Sequence, residues 1–408
     1  IDATALTAGG GFSAGIGGAA VVIMVGSDVT GDGTEEVSQG TLASVGSFTS
    51  ADRFTDLIDT GTGGPPTIST DDQDEVNALT QLNLTDRTTG TGGYTFRTAA
   101  ELSGLNTIVA GSLMVDATDK IDTHTLVGGL GVSLGGGVGG AVAVTTVKAN
   151  VDALVSAGST LTTTGNVRVH AEAAHDTARV PQWCQVGVDG CVSHTIGVEA
   201  IAGGVGFVGL GAAVAYVTID NDVDASLAAS RSTAGGVVTV SAVDSTDIDA
   251  SAWGAAVGAY SAGIVASYAD KSSLISASIG GTVNAAGVSV TADEQGRVKT
   301  LGQSAAAGLY GAGAGAYAES KDGATVQAST DADARFTLGA GSLSVVATAT
   351  PQTDAEADGV AVAGGVGIGA SVAHASAETT VQAGIGQRNT VTAASTTVDA
   401  QFKRAINA

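Results

Sequence analysis

The residues of this chain that are able to carry chemistry fall into a few small sets. Asp28-Val29-Thr30-Gly31-Asp32-Gly33-Thr34-Glu35-Glu36 places oxygen-bearing side chains at alternate positions around a glycine, as in the front half of a calcium loop. Asp28, Thr30, Asp32 and Glu36 are the candidate calcium ligands, with Gln39 standing where a bidentate acid is expected. A solvated acidic turn is the competing reading. Cys184 and Cys191 are the two cysteines of the chain. They are read as a local disulfide closing a short loop in an oxidising compartment, with free or metal-bound thiols as the alternative.

The five histidines, His124, His170, His175, His194 and His374, are scattered. His170 holds the outward position of a strand and is expected to be exposed; a metal set joining it to His175, Cys184 and Cys191 needs a sharp bend in that strand. Asp220, Asp222 and Asp224 are the acids a polysaccharide-cleaving groove would use, against the plainer reading of surface carboxylates. The acidic run Asp71-Asp72-Gln73-Asp74-Glu75 suits the first turn of a helix, whose dipole favours carboxylates. No G-x-S-x-G, H-E-x-x-H, phosphate-loop or G-G-x-G-x-D pattern occurs. The expectation is a chain that is not an enzyme, with calcium as its one candidate cofactor.

What must position these residues is a recurring V-x-V-x-A box, whose alternation is that of a strand with one face buried and one face wet. Its central residues are Val115, Val169, Val240, Val290, Val345 and Val398, spaced by 54, 71, 50, 55 and 53 residues. A second mark precedes the last five boxes: Val151-Asp152-Ala153, Val223-Asp224-Ala225, Ile275-Ser276-Ala277, Val326-Gln327-Ala328 and Val381-Gln382-Ala383. Mark and box stay 18, 17, 15, 19 and 17 residues apart, so two signals keep one register. A unit of this length indicates a solenoid, a propeller or a stacked array. Each unit makes either two coils or one broad flattened coil with a long strand such as 237–255.

Composition agrees with a small-residue core. The 408 residues include 61 Gly and 4 Pro, with only 4% aromatic. The uncharged runs 203–215 and 308–318 read as strands buried on both faces. A net charge of −24 argues against nucleic acid as a partner and for solubility or cation binding. No window has the roughly 18 continuous large apolar residues of a membrane-spanning helix. The chain opens Ile1-Asp2-Ala3, which reads as a segment of a longer protein.

The expected fold is all-β, a parallel β-solenoid (β-helix) of roughly 50-residue repeats with a small partly helical insertion. Residues 1–26 are its first strands. Residues 27–105 are an acidic insertion in which Ser50 and Thr70 cap helical turns and 98–105 forms a short helix. Residues 106–408 carry the repeats, with a cysteine-containing loop at 181–198 that accounts for the one long spacing.

The Gly/Ala/Val runs, the V-D-A and V-Q-A marks and the V-x-V-x-A boxes together resemble the repeat regions of large bacterial filamentous surface adhesins, of the filamentous-haemagglutinin and leukotoxin-family type. The likeness covers residues 106–408 and the first 25. It implies a secreted or cell-surface, non-catalytic stalk that attaches a bacterium to a surface or to another cell. Self-association into a filament or sheath is the alternative. The haemagglutinin-type repeat is shorter, and no secretion-domain motif is present.

Overall fold

The computed structural model describes residues 1–26, 97–104, 107–174 and 196–408. Among them there is no helix, and every strand pairing is parallel. The strands form four sheets, one of eleven strands and three of six. This all-β, multi-sheet parallel architecture is consistent with a β-solenoid.

The path of the chain is plain in the stretch from Val237 to Glu294. Strand Val237–Asp244 lies in one six-stranded sheet, and Ile248–Lys271 crosses the eleven-stranded sheet. Leu274–Ile279 and Thr282–Asn284 then enter the other two six-stranded sheets. Gly287–Glu294 returns beside Val237–Asp244, with Val240 opposite Val290 and Ala242 opposite Ala292. The three six-stranded sheets form the body, and the eleven-stranded sheet projects from it.

Alternation explains the body. In each box the central Val and closing Ala point inward, so Val169, Val240, Val290 and Val345 form one buried column. The earlier marks form a second column, Val151, Val223, Ile275 and Val326. Leu161, Val283 and Phe336 close the core from the third side. Turn chemistry sets the corners. Gly281 adopts φ +75° between two body sheets, where a Cβ would also lie 1.9 Å from the Ala229 carbonyl oxygen.

The eleven-stranded sheet is folded on itself. Ile248–Lys271 pairs along its first half with Ile196–Val205 and along its second half with Val208–Ile219. The chain thus runs out, turns at a tip and runs back, making a fin of two back-to-back halves. Only small residues allow this contact: a Cβ on Gly204 would lie 2.0 Å from the Leu210 carbonyl oxygen. Buried hydroxyls stitch the halves, Thr125 to Thr145 at 3.2 Å and Thr300 to Ser320 at 2.9 Å.

Several sequence expectations are corrected. Residues 98–102 are a strand, not the start of a helix, because pairing with Val151–Val155 overrides the helix propensity of Ala99, Ala100 and Glu101. The long strand is Ile248–Lys271, since the chain turns at 245–247 instead of running on from Val237. The Gly-rich runs are buried on one face only. Val205, Val208, Leu309 and Tyr310 point to solvent, and each run is interrupted by or starts at the fin's tip. Residues 196–198, placed in the cysteine loop, already belong to strand Ile196–Val205.

Candidate functional site

Chemistry-bearing side chains converge at the neck, where the fin joins the body. Strand parity brings them there. Val240 and Ala242 point inward, so Asp244 does too; Val290 and Ala292 do the same for Glu294. On the fin side, Val265, Ser267 and Ala269 give the inward parity that buries Lys271, and Asp322 lies opposite it on the next strand. Asp244, Lys271, Glu294 and Asp322 are all 0% exposed.

The ammonium of Lys271 donates to Glu294 Oε1 at 2.8 Å and to the Thr246 carbonyl oxygen at 3.4 Å, and lies 3.6 Å from Asp244 Oδ2. Asn221 Nδ2 donates to Asp244 Oδ2 at 3.4 Å and to Thr246 Oγ1 at 3.1 Å, while the Thr246 N–H donates to Asp244 Oδ1 at 3.0 Å. Thr379 Oγ1 donates to Asp322 Oδ1 at 3.1 Å. Glu294 Oε2 and Asp322 Oδ2 find no hydrogen-bond partner among the described residues. Gly296 leaves the room the lysine occupies, for a Cβ there would lie 2.2 Å from Nζ.

Three carboxylates face one ammonium, and the protonation balance follows. Burial pushes Glu294 up to about 7 and outweighs the opposing charge of Lys271; burial likewise raises Asp322. Burial alone would lower Lys271, but the charges of Asp244, Glu294 and Asp322 together override it and raise it. Near neutral pH the cluster therefore holds an ammonium beside a carboxyl poised to take a proton. Along the stack the same inward positions carry Ala173, Ala349, Ile219 and Ala377, so the charges occupy only the middle layers.

The predicted site residues that the structure describes are not members of this cluster. Asp28, Thr30, Asp32, Glu36, Cys184, Cys191, His175 and His194 are outside the described residues, as is the expected helical part of the insertion at Ser50 and Thr70. His170 does occupy the outward position of its strand but is covered, with Nδ1 2.8 Å from Ser241 Oγ and Nε2 3.2 Å from Glu172 Oε2. Asp222 and Asp224 share one face of a body sheet with Asp152, which sits opposite Asp224. Burial raises Asp224 to about 6, aided by the charges of Asp152 and Asp222 and opposed by a hydrogen bond from Ser276. Asp220 instead pairs with Lys148 at 3.3 Å. Among the described residues no group of three or more His, Cys, Asp or Glu is arranged to hold a metal ion.

Two surface features of the fin were hidden in the sequence. Five of the six tyrosines stand in ring ladders on it: Tyr260 and Tyr310 with Phe207 at the tip, and Tyr216, Tyr268 and Tyr317 on its returning half, at centroid spacings of 5.1–6.2 Å. On the outgoing half, Ile201, Trp253, Gln303 and Asp358 lie side by side in a groove of about 730 Å³. The only advance signal for these was the placing of Tyr260 and Tyr310, each 20 residues after the central Val of its box. No family model matches the chain, and neither the curated proteins nor the solved structures contain a match to it.

Proposed function

We propose that this chain is a non-catalytic, structural and adhesive segment of a giant bacterial cell-surface or secreted fibre, a parallel β-solenoid with one broad coil of about 50 residues per repeat. The observation that carries the reading is the pairing of box with box, Val169 through Val240, Val290 and Val345 to Val398, each strand hydrogen-bonded to the same position of the next. Such a ladder passes tension from layer to layer through backbone bonds and resists proteolysis. It also repeats without limit, which suits a stalk.

The fin supports the adhesive part. Trp253, Val257, Tyr260, Ile264 and Tyr310 are exposed on it, a concentration of apolar surface that marks an interaction site. Among the described residues no helix is long and apolar enough to cross a membrane. Calcium at Asp28, Thr30, Asp32 and Glu36 belongs to the same proposal as a stabiliser of the insertion. It predicts a melting midpoint that rises with added calcium and falls with chelator; an unchanged midpoint removes it.

The test is attachment. Beads coated with the purified chain are expected to be retained under flow on hydrophobised glass, and retention is expected to drop when Trp253, Tyr260 and Ile264 are together replaced by Ser. Retention no better than that of albumin-coated beads would remove the adhesive role. The exposed apolar side chains on both faces and the tip of the fin favour a second reading, self-association into a filament or sheath, and uniform filaments of purified chain in electron micrographs would select it.

A further inference from the structure

The neck cluster encloses an amine and carboxyl groups in direct contact. A primary amine and a carboxyl group are held 2.8 Å apart with no solvent access to either. The carboxyl's second oxygen has no partner among the described residues, so only Lys271, on the first oxygen, favours the carboxylate form against burial. A third group, Asp244, lies 3.6 Å from the amine nitrogen and is positioned by Asn221 and by the Thr246 N–H. Glycine at 296 clears the space in which the amine approaches. With three acids and one base enclosed together, burial raises Glu294 to about 7, so near neutral pH part of it is the neutral carboxylic acid that condensation with an amine requires.

We propose that Lys271 and Glu294 become joined by an intramolecular amide bond after folding. Asp244 accepts a proton from the Lys271 ammonium as general base, and the freed amine adds to Cδ of protonated Glu294. The tetrahedral adduct loses the Glu294 hydroxyl as water, the proton for it coming back through Asp244. The second nitrogen proton ends on Asp244. The Nζ–Cδ bond forms, the Cδ–O bond breaks, and ammonium, carboxylic acid and carboxylate become amide, water and carboxylic acid, with no redox partner needed. Folding supplies the proximity that makes the step effectively unimolecular. Expulsion of water from a dry neck draws it forward, since hydrolysis requires water to re-enter. The surrounding carboxylates strengthen the lysine's hold on its proton, so proton transfer to Asp244 is the slow step. The product removes a buried ion pair and ties the fin's returning strand to the next layer of the body.

Mass spectrometry of the full chain, reduced and denatured, tests this directly. The intact mass is expected to fall one water below that of the sequence. Cleavage before Asp270, Asp293 and Asp322 places Lys271 and Glu294 on separate peptides, 270–292 and 293–321, which are expected to remain joined. Lys271→Arg and Glu294→Ala are each expected to restore the full mass, and Asp244→Ala to restore it in protein that keeps its β-sheet circular dichroism. A wild-type mass equal to the sequence, or free peptides 270–292 and 293–321, overturns the bond. A join from Lys271 to any other acid overturns the assignment of Glu294, and complete water loss in Asp244→Ala overturns the role of Asp244. The wild-type measurement decides the central point even if every variant fails to fold.

Discussion

Lys271 is the largest fully buried side chain among the described residues, and it lies among acids. A charge taken out of water is tolerated only where partners replace the water, and in the unjoined cluster Glu294, Asp244 and the Thr246 carbonyl do so. Lys271→Met removes the amine that would be joined to Glu294 and leaves the acids buried with neither bond nor cation. It is expected to cost about 3–5 kcal/mol, as for other broken buried pairs, measurable as a lower urea midpoint. Gly296→Ala is expected to act on the same group by a different route, its methyl forcing Nζ out of place; a melting midpoint equal to wild type would mean the neck is looser than the 2.2 Å approach implies. These residues were hidden in the sequence because Asp244, Lys271 and Glu294 stand at strand ends, where charges ordinarily belong to turns. The signal that finds them is parity: each keeps the inward phase of the Val or Ala two residues before it.

At the scale of the elements, the body was legible and the fin was not. The boxes alternate between Val or Ala and polar residues, so the inward face can be read directly, as in Val238-Thr239-Val240-Ser241-Ala242. A run such as Gly203 to Ala215 has no polar contrast to betray its phase, and it looks buried on both faces although one faces solvent. The crease depends on backbone contact that small residues permit. Gly204→Val is therefore expected to separate the two halves at that layer, lowering the melting midpoint and raising dye binding to exposed apolar surface, whereas Gly313→Ala, with open space at its Cβ, is expected to change neither.

A second element-scale prediction concerns the acid row Asp152, Asp222 and Asp224. Asp224 titrates near 6 in the fold against about 3.9 in an unfolded chain. Between those values the folded state binds more protons, so the stability present below about pH 4 is lost as pH rises through 6. The melting midpoint is expected to fall from pH 5 to pH 7.5. Asp224→Asn is expected to make that fall shallower, and an unchanged slope would place the titration elsewhere.

For the whole molecule, the layers set the proportions. Six layers of the fin, about 4.8 Å apart, stack to roughly 29 Å, while a half-strand of 12 residues reaches about 40 Å. The proposed fibre therefore requires many such segments in series, and an image of this one alone does not reveal the stacking. What the proposal requires is register: equivalent positions of successive units lying directly above one another. Ser226, Ser278 and Ser329 are such a column, with Ser278 Oγ donating to Ser226 Oγ at 3.0 Å. In a chain whose Cys184 and Cys191 are replaced by Ser, Ser226→Cys with Ser278→Cys is expected to oxidise to a disulfide without loss of folding, since adjacent-layer Cα atoms fall in the range such a bond needs. Ser226→Cys with Ser329→Cys, two layers and about 9.6 Å apart, is expected to stay reduced. A folded protein in which the first pair fails to close, or the second closes as readily, would contradict the layered stack on which the functional reading stands.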